Sequence, residues 1–371
     1  MKKLRIAFVT CFVFLLALIA LCGCDLFGGG SSSGNTGGTS NGGQQTTPDP
    51  EPEKPEFESG SGTEEDPYII AQAYQWANIN KHLKASYLLD ADINMGDMGT
   101  MASVGSDTAP FEGTLDGQGH YIHSATILGS PFAVVSGGTV INFSIRDSQL
   151  IKATGGLFGT VKMGALIENC HGSALNVSAQ SNQYLGGIVG EVASAAQVRY
   201  CSANVAYNAS NGGGNKKIGP IVGYLQGGHV DACWVTGSFA YGGHLSMDAG
   251  GILGAVSGGT ITNCYAQCTM TGSPDSIGGI GHWRTGGTLG YLLNLCDATQ
   301  ASPSKNRITS DFVETTIKAE STLRYFSPAV IETSNDVLDT DEWKDNKVWK
   351  KGKIHPELVS YEEYLAITAE K

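Results

Sequence analysis

Six cysteines between Cys170 and Cys296 are the residues of this chain whose type and spacing look most like chemistry. Cys170, Cys201, Cys233, Cys264 and Cys296 lie 31, 32, 31 and 32 residues apart, with Cys268 as an extra. A zinc site needs thiolates that converge on one point, whereas an even series puts one thiol at the same place in successive units. Stacking such units in register sets neighbouring Cβ atoms at strand spacing, ~4.8 Å, beyond the ~3.8 Å that a disulfide prefers. A ladder of unpaired inward thiols is therefore expected. The Cα separation would permit a disulfide, but pairing would need a shifted coil. On a strand, Cys264 and Cys268 share a face about 13 Å apart.

The other reactive residue types are scattered. His120 and His123 are three apart on an expected strand and so point to opposite faces. There is no His-Glu-x-x-His zinc motif and no Gly-x-Ser-x-Gly elbow. Asp90, Asp92 and Asp97 have the look of a calcium cluster, but strand alternation beside a turn gives the same pattern, and solvated carboxylates are the expected state. Asp116 in Asp116-Gly117-Gln118-Gly119 suits service to a turn backbone. Arg199 and Asp231 fall where adjacent units would make them neighbours, as a weak surface ion pair. Enzymes on repetitive β scaffolds gather acids and bases in a groove, and these repeats carry mostly Ser, Thr, Gly and Ala. The expectation is a chain that is not an enzyme, with no metal and no cofactor.

A repeat surrounds the cysteines. Gly155-Gly156-Leu157-Phe158-Gly159 recurs from Gly186, Gly219 and Gly250, with a worn copy from Gly278, at steps of 31, 33, 31 and 28 residues. An apolar residue stands three before each of four cysteines: Ile167, Val198, Val230 and Ile261. Short Val/Ile/Leu runs broken by Gly, Asn and Ser, without helical periodicity, predict about three short strands per unit. Strands of that length with no crossover helix suit a solenoid of about 31-residue coils, roughly eight in all, forming a rod about 40 Å long.

Gly-Gly-Ile-Val-Gly (Gly186 to Gly190) and Ile-Thr-Asn-Cys-Tyr (Ile261 to Tyr265) resemble the GLUG-motif repeats of bacterial surface proteins. Gly62 to Ile70, Leu89 to Ile93 and Phe111 to His120 are similar too, so the resemblance covers residues 60–300. It implies an all-β, right-handed parallel β-helix at the cell surface, in a group mostly adhesin-like or of unassigned role, and it transfers no catalytic residue. The chain departs from the pattern at Pro220, in the fifth repeat and at Ala232, where Asn is usual; local bends are expected there. An open stack needs covered ends. A helix near residues 71–83 is the expected N-terminal cap. The irregular segment 301–371, with Trp343, Trp349, Pro356 and Leu358, is expected to put its tryptophans on the last coil, with a helical or loose tail beyond Tyr361.

At the other end, Met1 to Arg5 is a positive n-region and Ile6 to Leu21 an apolar run too short for a comfortable span, as in a signal peptide. Leu21-Cys22-Gly23-Cys24 resembles the lipobox of bacterial lipoproteins. On that resemblance residues 1–23 are removed and Cys24 carries palmitate-type acyl chains as the membrane anchor. Residues 24–58, rich in Gly and Ser and then Pro and Glu, read as a tether before a repeat domain at 59–300. The net charge is -12, and loss of Lys2, Lys3 and Arg5 with the signal leaves -15, which argues against nucleic acid. The expected location is extracytoplasmic, on a membrane at the cell surface.

If each cysteine points inward, the next residue points outward: His171, Ser202, Trp234 and Tyr265. Trp234 and Tyr265 would then lie side by side, able to stack on a sugar ring or anchor a protein, unless a loop such as Asn208 to Lys217 folds over them. The expected function is a non-catalytic, adhesin-like module binding a glycan or an extracellular protein. The alternatives are a polysaccharide-degrading β-helix enzyme and a passive spacer.

Overall fold

The computed structural model describes residues 54–179, 184–209, 216–242, 247–274, 276–278, 280–284, 286–297, 338–339, 345–353 and 356–369. The signal segment, Cys24 and residues 24–53 of the expected tether lie outside the described residues, as does Trp343.

Each coil begins with a three-residue strand whose central residue is a buried aliphatic. Ile167, Val198, Val230, Ile261 and Leu289 pair directly along one line of parallel strands, which fixes the coil at the repeat period. These belong to a nine-stranded sheet running from Tyr68–Ile70 to Thr288–Gly290. A turn at the cysteine leads into a strand of eight or nine residues: His171–Ala179, Ser202–Ala209, Trp234–Tyr241 and Tyr265–Gly272. A further row, Phe158–Lys162, Val189–Val192, Val222–Leu225 and Leu253–Val256, closes the coil. The long-strand row and the closing row form one sixteen-stranded sheet, joined by the eleven-residue strand Thr126–Ser136. The chain is an all-β parallel solenoid.

The middle coils hold four strands rather than three. The extra one, Tyr184–Gly186 and its stacked equivalents, ends at the paired glycines, which turn the chain sharply before the closing strand. A Cβ on Gly156 would sit 1.9 Å from the carbonyl oxygen of Gly187, and one on Gly187 would sit 2.2 Å from that of Pro220. The glycine marker of the repeat is thus a corner where adjacent coils touch backbone to backbone. Pro220 does not disturb this: the closing strands on both sides keep register, Val189 with Val222 and Val222 with Leu253.

The interior is filled by side chains stacked along the axis, such as Phe132 on Phe158 and Tyr207 on Phe239. The N-terminal cap is shorter than expected, an α-helix over Ala73–Asn78 followed by a 3-10 turn at Ile79–Lys81. It drives Trp76 into the end of the stack, where the indole lies 5.4 Å from Phe143. The fold also starts earlier than position 59. Phe57 is buried and stacks on Tyr68 at 4.2 Å, and Glu58 N–H donates to the Ile69 carbonyl, so residues 54–58 belong to the cap.

Candidate functional site

Cys170, Cys201, Cys233 and Cys264 are fully buried, unpaired and stacked, each thiol donating to a carbonyl two residues back: Glu168, Arg199, Asp231 and Thr262. Burial pushes the Cys170 and Cys233 thiols well above the usual range. The ladder begins at Phe143 and ends at Leu292, because Ser144 pairs with His171 and Leu293 with Tyr265. Cys296 does not continue it. The last coil is short, as the 28-residue step of the fifth glycine pair foreshadows, and Cys296 falls beside Cys268 in a second inward column.

The residue before each ladder position sits in the left-handed region: Asn142, Asn169, Tyr200, Ala232, Asn263 and Tyr291 have φ from 51° to 54°. Asn tolerates this conformation best among residues with a side chain, which explains its recurrence. The asparagine amides form a chain along the turn, Asn142 Nδ2 to Asp116 Oδ1 at 3.0 Å and Asn169 Nδ2 to Asn142 Oδ1 at 2.9 Å. Asp116 also accepts from Gln118 N–H at 2.8 Å, the turn service expected of it.

The residues after the ladder share one row, His171, Ser202, Trp234 and Tyr265, as alternation requires. His171 bonds Ser202 Oγ and Asn169 Oδ1, each at 2.8 Å, and its burial lowers its pKa, keeping the ring neutral. Trp234 and Tyr265 stack with centroids 6.3 Å apart and planes 10° apart. The row is half-buried, not an open face. The C-terminal segment lies over it, with Trp349 against Tyr265 and the helix Tyr361–Ala369 against Tyr200, which itself meets Trp234 edge-on at 5.5 Å.

That segment is anchored where the asparagine chain breaks. Tyr200 donates its hydroxyl to the Val359 carbonyl at 2.8 Å. Ala232, which keeps φ at 51° and causes no bend, shares a small apolar cluster with Tyr200, Trp349 and Tyr364. Beside these turns the register aligns Glu168, Arg199 and Asp231 on successive coils. Arg199 pairs with Glu168, not Asp231. Asp231 is 7 % exposed and accepts from Thr262 Oγ1 at 2.6 Å, Asn263 Nδ2 at 2.7 Å and Tyr364 Oη at 2.8 Å. Tyr361 Oη donates to Glu168 at 2.5 Å. The two tyrosines are one helical turn apart and so reach two carboxylates two coils apart. Sequence reading set Arg199 beside Asp231 but missed Glu168 and both tyrosines, because Tyr361 is 193 residues from Glu168 and Tyr364 is 133 from Asp231; the trace was the loss of Asn at Tyr200 and Ala232.

Elsewhere, Asp92 accepts from His120 Nδ1 and Tyr121 N–H, both at 3.2 Å. Among the described residues no three metal-ligating side chains cluster.

No protein-family model matches the chain, and no curated protein matches it. Among solved structures, a "putative immunoglobulin A1 protease" from Bacteroides ovatus is similar over 82% of this chain and 95% of that one, with a TM-score of 0.51 and 21% identity. Another, named IgA1 Protease, covers 78% of this chain but 25% of its own, with a TM-score of 0.44 and 15% identity. The expectation of a chain that is not an enzyme is corrected by the first of these, since a structure of this architecture carries the name of a protease. At that identity the likeness shows the parallel β-solenoid fold.

Proposed function

We propose that this chain is an exported, adhesin-like solenoid, held to a membrane by lipid on Cys24, that binds a neutral glycan on the outer face of its long strands. The observation behind this reading is the chemistry of that face. The four strands from His171–Ala179 to Tyr265–Gly272 contain no Asp, Glu, Lys or Arg, in a chain of net charge -12. Their outward rows are small and polar: Asn176, Ala206, Ser238 and Thr269 in one, Asn204, Thr236 and Gln267 in the next. Hydroxyl and amide groups on a flat lattice match sugar hydroxyls as donors and acceptors without demanding counter-charge. Many weak contacts along a repeating polymer then add by avidity.

A glycan array probed with the mature chain tests the proposal. Binding should favour uncharged glycans, change little with salt and fall at least tenfold in Thr236→Glu with Thr269→Glu. Preference for anionic glycans, or none bound, would refute it. Anchoring is tested separately: Cys24→Ala should lose labelled palmitate. A second reading, cleavage of a protein substrate, is favoured by the name of the similar structure. New fragments after incubation with immunoglobulin A1 would support it.

A further inference from the structure

We infer that the C-terminal residues 346–353 and 356–369 form a detachable strap over a second carbohydrate-binding site, made by the Trp234–Tyr265 stack and the Glu168–Arg199–Asp231 row. The inference rests on the glycan reading for its ligand class, but it concerns a different surface. Two sets of observations carry it, one on the strap and one on what it covers.

The strap is built to leave as a unit. Its hairpin, Trp349–Lys350 with Glu357–Leu358, is a two-stranded sheet of its own and joins none of the three solenoid sheets. The described anchors to the solenoid run through side chains: Asn346 to Asn263, Tyr200 to the Val359 carbonyl, Tyr361 to Glu168 and Tyr364 to Asp231. Its apolar contacts form a small cluster separate from the main core, unlike those of Trp76 at the other cap. Elements held this way open before the body of a fold does.

What it covers is suited to a sugar. Two nearly parallel aromatic planes form a platform, and beside them acids stand two coils apart, about 10 Å, with a guanidinium between. The strap meets those acids with neutral hydroxyls, the groups an oligosaccharide would present. The strap is therefore a built-in competitor. Its departure frees the platform and the acids together.

The test uses the full chain. Tyr364→Glu sets a carboxylate against Asp231 and should eject the strap, while Tyr361→Phe with Tyr364→Phe removes the hydroxyls and keeps the rings. In both, amides of residues 346–353 and 356–369 should exchange faster with the β circular dichroism unchanged. Affinity for a neutral oligosaccharide should rise at least tenfold, and adding Trp234→Ala should abolish the gain. Faster exchange without tighter binding would overturn the inference, as would loss of the solenoid in both variants, since the segment is then a structural cap. The two proposals fail differently. Wild-type binding that Thr236→Glu removes, with no gain on strap release, leaves the open face standing alone. Binding only after release refutes the open face and supports the covered site.

Discussion

The turn before each ladder cysteine shows how one residue type is chosen by two demands at once. The position needs a positive φ, and at Asn142 and Asn169 the side chain also bridges to the coil before it; Asn serves both, whereas Tyr200, Ala232 and Tyr291 keep the φ with no side-chain amide to bridge. Asn169→Ala should therefore cost more than a surface change. It loses the bonds to Asn142 and His171 and places Ala in a strained conformation, for about 2–3 kcal/mol in denaturant unfolding. A destabilisation below about 0.5 kcal/mol would show that the amide chain is incidental. The neighbouring thiols face the opposite condition. Buried in apolar surroundings and raised in pKa, Cys170 and Cys233 should resist alkylation in the native protein, and the six cysteines of the repeat body should all react in denaturant without reductant. Mass mapping that found a disulfide among Cys170, Cys201, Cys233 and Cys264 would contradict the stack.

At the scale of elements, the same residue does unequal work at two kinds of corner. Gly187 packs against the next coil, so Gly187→Ala forces two backbones apart and should cost at least about 3 kcal/mol or prevent folding. Gly164 has φ +76° and open space around it, so Gly164→Ala carries the backbone penalty alone, roughly 1–2 kcal/mol. Equal losses at the two positions would remove the close-contact explanation. This contrast also explains what was legible in the sequence. The glycine pairs and the cysteine period report contacts between like residues on adjacent coils, so they repeat, and repetition is readable. The ladder's end was not read, because Cys296 matched the period by coincidence while the coil itself had shortened. Phe57 was invisible for a related reason: it lies among Pro and Glu, and its burial against Tyr68, His82 and Tyr87 is what assigns it to the fold.

Over the whole molecule, the contacts that close the structure join positions far apart and occur once. Tyr361 reaches Glu168 and Tyr364 reaches Asp231, well back from the last coil, where the tryptophans of the segment were expected and where Trp349 shares a cluster with Leu293. The anchoring has a pH signature. Burial first, and then the facing carboxylate, raises the pKa of Tyr361 and of Tyr364 above that of free tyrosine, about 10. The groups facing the tyrosines include Glu168, Asp231 and the opposing charge of Arg199. A docked strap keeps protons that a free strap sheds, so raising the pH favours release. Docking is fully present below about pH 10 and weakens above it. Tyrosinate absorbance and tryptophan emission followed upward from about pH 8 should change together above about pH 10, reporting exposure of Trp234 and Trp349, while the far-ultraviolet signal of the solenoid persists to higher pH. Tyr361→Phe with Tyr364→Phe should lack this separate step. A single alkaline transition, in which emission and β signal are lost together and the variant behaves identically, would mean that strap and solenoid are one cooperative unit.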